Sequence, residues 1–222
     1  MMRKDIPKRR CQNEVKRLRY IVDALPDNID GLRILDCGCS YGYIAFMLRS
    51  CFDGIPVITG VDKWGPLKDF HKKMKLYNNI IICDLVDFVN EFRNERKYNY
   101  IFMGDVIEHL KKEDSLRVLE KLKDMVKNKI IVNVPLEYLI ALPDGHESFR
   151  GNPHQKHESE WSRSDLENVG FSCIVYDIRE MTRLTMFFDS IRRFVFGIKS
   201  NTRYMVATWA PRRWEVSKNE NV

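Results

Sequence analysis

Four carboxylates, each closing an apolar run, carry most of the chemistry this sequence can offer. Asp36 follows Arg33-Ile34-Leu35, Asp62 follows Ile55 to Val61, Asp84 follows Ile80-Ile81-Ile82-Cys83, and Asp105 follows Tyr98 to Gly104. A carboxylate accepts hydrogen bonds from two adjacent hydroxyls or pairs with an ammonium. The first acid opens the stretch Asp36-Cys37-Gly38-Cys39-Ser40-Tyr41-Gly42-Tyr43. Gly38 and Gly42 permit backbone shapes and close approaches that a Cβ forbids. Ser40 reads as a helix N-cap, and Ile44, Met47 and Leu48 continue with helical apolar spacing. Such a turn aims the free N–H groups of a helix start at an anion. Past the fourth acid stand Glu108 and His109, and His109 is the candidate general base. His146, His154 and His157 lie in the loop Leu136 to Trp161, where an acceptor molecule would enter.

The elements that must hold these groups alternate between strand and helix. Strands are expected at 33–36, 55–61, 80–83, 98–103, 129–134, 171–176 and 203–209, and helices at 8–25, 41–50, 66–76, 85–94, 112–127 and 163–169. Val15, Leu18, Ile21 and Val22 share one face of the first helix, and Leu116, Leu119, Leu122 and Val126 share one face of the fifth. Asp53-Gly54 reads as a turn, Ser162 as the N-cap of the last of these helices, and Gly170 as its end. Apolar, β-branched strands alternating with helices imply an α/β fold whose mostly parallel sheet is covered on both faces. In such sheets ligands bind beyond the strand C-termini, where all four acids fall.

Three chemistries compete for the glycine turn. A dinucleotide fingerprint wants G-x-G-x-x-G, and Gly38-Cys39-Ser40-Tyr41-Gly42 does not supply it. The same residues match G-x-S-x-G, a hydrolase nucleophile elbow, with Asp105 and His146 as conceivable partners; but that elbow follows several strands, not the first. The third is S-adenosylmethionine. Its carboxylate suits the helix-start N–H groups near Ser40 to Tyr43, its ammonium suits Asp36, its ribose hydroxyls suit Asp62, and its adenine amino group suits Asp84, with Leu85 and Trp64 in apolar contact. His154-x-x-His157-Glu158 has an incomplete ligand set, so no metal is expected.

The motifs then become specific. Asp36-x-Gly38-x-Ser40-x-Gly42, Asp62, Cys83-Asp84-Leu85 and Gly104-Asp105-Val106-Ile107-Glu108-His109-Leu110 resemble the class I S-adenosylmethionine-dependent methyltransferases, of the small-molecule type related to ubiquinone and menaquinone biosynthesis enzymes. His157-x-Ser159-x-Trp161-Ser162, Leu166 and Gly170-Phe171 resemble the matching later region. The resemblance implies a Rossmann-like seven-stranded sheet of order 3-2-1-4-5-7-6. It implies cofactor contacts from Asp36, Cys37, Gly38, Ser40, Gly42, Tyr43, Asp62, Lys63, Cys83, Asp84, Leu85, Gly104 and Asp105, and catalytic roles for His109 and Glu108. The expected acceptor is a small or lipid-like molecule, methylated at oxygen, nitrogen or carbon. Nucleic acid is disfavoured, because the fourth strand does not end in the proline-tyrosine motif that grips a base amine. An RNA or protein methyltransferase, or a non-catalytic S-adenosylmethionine-binding module, is the alternative.

Composition sets the remaining bounds. The 222 residues carry 44% hydrophobic and 31% charged residues, an ordinary globular mixture with room for one large core. No apolar run spans a bilayer, and Met1 to Arg10 is basic without an apolar signal core, so a cytoplasmic protein is expected. The six cysteines read as small buried hydrophobes, not as a disulfide framework. One domain is expected over 1–222, with a basic helix in 1–29, a core of 30–178 and 202–210, an amphipathic insertion at 179–201 and a tail at 211–222. Residues 1–20 carry eight Lys/Arg against two Asp/Glu, and residues 179–222 carry nine against four, so basic ends flank an acidic middle. Leu184, Phe188, Ile191, Val195 and Ile198, flanked by arginines, form an apolar helical stripe. This 181–199 segment is expected to pack on the domain, to form a homodimer, or to lie on an anionic membrane surface.

Overall fold

The computed structural model describes residues 23–91, 97–136, 152–177 and 203–211. Its centre is β1 (Arg33–Cys37), in which Ile34, Leu35, Asp36 and Cys37 are all buried. A strand apolar on both sides must be covered on both sides, and the chain supplies that cover by crossing over to parallel neighbours. In order follow α1 (Tyr43–Cys51), β2 (Val57–Asp62), α2 (Leu67–Met74), β3 (Asn79–Ile82), α3 (Leu85–Glu91) and β4 (Tyr98–Gly104). Then come a single turn of 3-10 helix at Ile107–His109, α4 (Lys112–Met125), β5 (Val126–Pro135), a second such turn at Pro153–Gln155, α5 (Arg163–Asn168), β6 (Ser172–Asp177) and β7 (Arg203–Trp209). The seven strands form one sheet in the order β3-β2-β1-β4-β5-β7-β6, as the family resemblance implied. All pairings are parallel except those of β7, which runs antiparallel to both β5 and β6.

Strand alternation divides the core into two layers. Leu35, Val61, Ile101, Met103, Ile130 and Val132 pack with the apolar faces of α3, α4 and α5. Ile34, Ile58, Tyr100, Phe102 and Ile131 pack with α1 and with Leu25 and Ile29. The elements lie within a few residues of their expected places, and the shifts have local causes. β2 begins at Val57 because Pro56 has no N–H to give a ladder. α2 stops at Met74 because Lys75 turns left-handed and returns its N–H to the His71 carbonyl. Asp53-Gly54 makes the expected turn, with Gly54 at φ 92. Ser162 caps α5 in a reciprocal capping box with Asp165.

Two expectations fail. Ser40 is not an N-cap: Ser40 and Gly42 both turn to positive φ, and α1 starts only at Tyr43, with Gly42 at the cap and no side-chain cap bond. Cys51 is disulfide-bonded, whereas Cys37, Cys39, Cys83 and Cys173 are free thiols. Sequence spacing cannot pair a cysteine with one from a distant segment. Of the expected helix at 8–25, only Asp23, Ala24 and Leu25 are described, and the 181–199 segment and His146 lie outside the described residues. Among the described residues no helix is long and apolar enough to cross a membrane.

Candidate active site

The strand order reverses between β1 and β4, and the carboxyl edge of the sheet opens there into a cavity of about 540 Å³. That volume suits a ligand of nucleoside size. Asp36, Gly38, Ser40, Tyr43, Asp62, Lys63, Cys83, Asp84, Leu85, Gly104, Asp105, His109 and His154 all line it. The four acids therefore meet, as their placement after the strands required.

The glycine turn is built by its neighbours. Gly38 and Cys39 donate their N–H groups to the Val61 carbonyl at 2.8 and 3.1 Å, which ties the turn to the end of β2. Gly38 has φ +66, and a Cβ there would run into the Val106 side chain. Ser40 donates its N–H to Asp62 Oδ2 at 2.9 Å, and Trp64 donates to Asp62 Oδ1 at 2.9 Å. Both oxygens of Asp62 are thereby fixed, and each keeps a second lone pair for a ligand hydroxyl. His71, from α2, donates through Nε2 to the Ser40 carbonyl at 2.6 Å.

Asp36 is the electrostatic anomaly. It lines the cavity yet is 1% exposed. Burial raises its pKa to about 7; the Tyr77 hydroxyl, donating to Oδ2 at 2.6 Å, pulls it down, and Asp62 pushes it up. A buried acid beside another acid fits a ligand that brings a cation. On the far side, burial works to raise Asp84, but the bonds from Lys63 at 2.6 Å and from the Val86 N–H at 2.9 Å win, so its pKa falls. Asp84 thus caps α3 as well as facing the cavity.

The opposite wall of the cavity is assembled from β4, β5 and the segment that follows Asn152. Asp105 sits at φ 55 and accepts from Asn133 Nδ2 at 3.3 Å, while the Tyr176 hydroxyl donates to Asn133 Oδ1. His109 Nδ1 lies 3.0 Å from the Lys156 carbonyl. A carbonyl only accepts, so Nδ1 bears the proton and Nε2 keeps its lone pair. Burial lowers the pKa of His109 and His157 lowers it further, outweighing the bond to Lys156, so the ring is neutral at pH 7.

Not every expected residue reaches the cavity. Cys37, Gly42, Glu108 and His157 do not line it, and Trp64 does not either, packing instead edge-on against Tyr41 at 6.1 Å. Gly42 makes room: a Cβ there would stand 2.9 Å from Leu76 and 3.3 Å from Tyr77. Glu108 is 1% exposed, and its carbonyl accepts the N–H groups of Glu158 and Ser159 at 2.7 and 3.1 Å. It joins His109 and His157 in a cluster whose ligand atoms lie within 4.8 Å of one another. Ser159 bonds the Ile107 and Leu110 carbonyls, and Trp161 Nε1 donates to Ser159 Oγ at 3.0 Å. The His-x-Ser-x-Trp motif is therefore a clasp that docks the loop on the turn after β4. The residues the sequence missed are Asn133 on β5, Asn152, Pro153, Gln155 and Lys156, which enter the lining through the loop's path, and Tyr77, which reaches Asp36 from the β2–β3 connection. Only Asn133, a polar residue interrupting the apolar run Ile130 to Val134, carried a signal.

Comparison with known proteins places this geometry. Two curated relatives, the ubiquinone biosynthesis O-methyltransferases of two Rickettsia bellii strains, are each 30% identical over 112 residues. These matches take in 48% of the chain and 45% of each relative, so the chain spans about half the length of the curated relatives it matches. Among solved structures, a SAM dependent methyltransferase from Archaeoglobus fulgidus superposes with a TM-score of 0.60 at 14% identity, over 92% of this chain and 95% of that one. Phosphoethanolamine N-methyltransferase 2 of Haemonchus contortus, in complex with S-adenosyl-L-methionine, gives 0.55 at 16% identity, over 88% of this chain and 51% of that one. At these identities the likeness establishes the fold. A family model described as a methyltransferase domain matches residues 3–172, most of the chain and every strand that lines the cavity, and the chain therefore belongs to the methyltransferase-domain family.

Proposed function

We propose that this chain transfers a methyl group from S-adenosylmethionine to an oxygen, nitrogen or carbon of a small or lipid-like acceptor. The observation that carries the reading is that one cavity gathers Asp36, Gly38, Ser40, Tyr43, Asp62, Asp84 and Asp105, the acids at the ends of strands β3, β2, β1 and β4, which are neighbours in the sheet. The site's chemistry fits the group. Asp36 is a buried acid with a raised pKa, suited to an ammonium. Gly38 holds a turn that no side chain could fill, and Gly104 leaves open space where a Cβ would stand. When bound, S-adenosylmethionine supplies a methyl on a sulfonium, already activated for in-line attack.

The residues of the chain then have separable tasks. Asp62 holds the ribose hydroxyls, and Asp84 with Leu85 holds the adenine end. His109 accepts the acceptor's proton at Nε2, while its Nδ1–H stays on the Lys156 carbonyl and fixes the ring. Asp105, oriented by Asn133, and His154 line the acceptor's entrance. Positioning dominates such a displacement, because the reacting atoms need only be held about 3 Å apart and in line. Glu108 supports this arrangement from beneath by tying the 158–159 backbone to the turn. Calorimetric titration of the chain with S-adenosylmethionine tests the reading: binding by the native chain, weakened at least about tenfold in Asp62→Ala, is the expected result. Absence of binding by the native chain overturns it.

A further inference from the structure

The β2–β3 connection contributes a side chain to the site that no motif contains. Tyr77 lies just past α2, and its hydroxyl donates to Asp36 Oδ2 at 2.6 Å; the nearest other acceptor, the Cys39 carbonyl, is 3.5 Å away. A phenol has one proton, so the short bond to the carboxylate takes it. Asp36 Oδ1 carries no hydrogen bond among the described residues, although the carboxyl lines the cavity.

Three further observations show that the fold makes a place for this ring. A Cβ on Gly60, in the middle of β2, would stand 3.0 Å from Tyr77 Cδ1, and a Cβ on Gly42 would stand 3.3 Å from Tyr77 Cε2. Two glycines from different elements thus clear the space the ring fills. The His71 ring meets Tyr77 edge-on at 4.8 Å while donating to the Ser40 carbonyl, so both aromatic residues grip the turn from one side. Tyr77 is itself largely buried and stays protonated: burial raises its pKa, and Asp36 raises it further.

We propose that Tyr77 is a positioning residue for the cofactor's amino-acid end, its hydroxyl holding one oxygen of Asp36 so that the other is presented to the ligand's ammonium. The inference rests on S-adenosylmethionine being the ligand. Tyr77 acts through Asp36 and does not touch the transferred group. Its bond also favours the ionised carboxylate that an ammonium requires, against burial and against the Asp62 charge. The titratable groups facing Asp36 are Tyr77, Asp62 at the end of β2, and the thiols of Cys37 and Cys39, which burial keeps protonated; Asp105 lines the same cavity from β4.

The test is calorimetric titration of the full chain with S-adenosylmethionine between about pH 5.5 and 7.5, below the range near 8 where an α-ammonium loses its own proton. In the native chain, affinity is expected to rise with pH toward neutrality, and in Asp36→Asn this rise is expected to be absent. Tyr77→Phe keeps the ring and its packing; it is expected to bind about tenfold more weakly at pH 7, with the rise displaced to higher pH. Site-specific 3,5-difluorotyrosine at position 77, a stronger donor in the same place, is expected to displace it to lower pH, and it decides the matter if Tyr77→Phe does not fold. A role in packing alone would move neither profile. If the native chain binds and Asp62→Ala does not, but both position-77 changes leave the pH profile where it was, the role of Tyr77 is refuted and the cofactor stands. If the native chain does not bind at all, the cofactor reading fails and the inference fails with it.

Discussion

Replacing Asp36 by asparagine should stabilise the ligand-free protein while weakening its affinity for S-adenosylmethionine. The carboxyl is buried, and its pKa is raised from an ordinary 3.8 to about 7, chiefly by desolvation. An acid whose folded-state pKa is raised binds its proton more tightly when folded. Its favourable contribution is therefore complete below pH 3.8 and is lost as the pH rises through 7. At ~1.36 kcal/mol per unit, the ionised group costs the fold about 4 kcal/mol at pH 8, about 3 at pH 6 and about 1.5 at pH 5. Asparagine has the same shape, can accept the Tyr77 hydroxyl and carries no charge, so the variant escapes this cost. For a chain of this size, ~4 kcal/mol corresponds to a rise in Tm of roughly 10 °C at pH 8, shrinking to a few degrees at pH 5. Thermal unfolding followed by circular dichroism across that range, without ligand, measures it. Saturating S-adenosylmethionine should narrow the gap at pH 8 by stabilising only the native chain. A variant less stable than the native chain at pH 8, or an advantage that does not change with pH, would refute the reasoning.

Three other outcomes are expected. Gly38→Ala should lose about 2 kcal/mol or more in denaturant unfolding, since its φ of +66 and the Val106 side chain both oppose a methyl, whereas Gly104→Ala, with open space, should stay within about 0.5 kcal/mol. Asp84→Ala should cost about 1 kcal/mol by uncapping Val86 at the start of α3, while Lys63→Ala, removing only the half-exposed partner of that ion pair, should cost at most about 0.5. In an NMR titration, His109 should change charge below pH 6.5, because burial and His157 disfavour its cation, and a midpoint at or above 6.5 would contradict its place as a neutral base. The same shift means that the stability His109 lends is present above pH 6.5 and is lost as the pH falls beneath it.

The scaffold was legible because its signals are local. Apolar runs ending in Asp36, Asp62, Asp84 and Asp105 announce parallel strands whose ends converge, and the structure brings all four to one cavity. What failed depended on distance or on backbone shape. Ser40 sits where an N-cap would, yet the bond from its N–H to Asp62, on the neighbouring strand, accompanies a left-handed turn that delays the helix. Glu108 reads as catalytic beside His109, but in a turn of 3-10 helix successive side chains diverge, and only His109 faces the cavity. Tyr77 was unreadable, because nothing in its neighbourhood of the chain says that it will lie against residues 36 to 42.

Asp177 and Arg203 are partners on the β6–β7 ladder, and one rung further Tyr204 pairs with both Tyr176 and Pro135. The chain between 177 and 203 thus starts and finishes at a single rung, on the same edge of the sheet as the cavity. A turn of about two residues would close that rung with every strand pairing intact. A connection tenfold longer than such a turn costs only about 2 kcal/mol more in closure entropy. The rung is a port into which descent, or an engineer, can splice new chain at the cavity's edge of the sheet, without renegotiating the strands β1 to β4 on its far side.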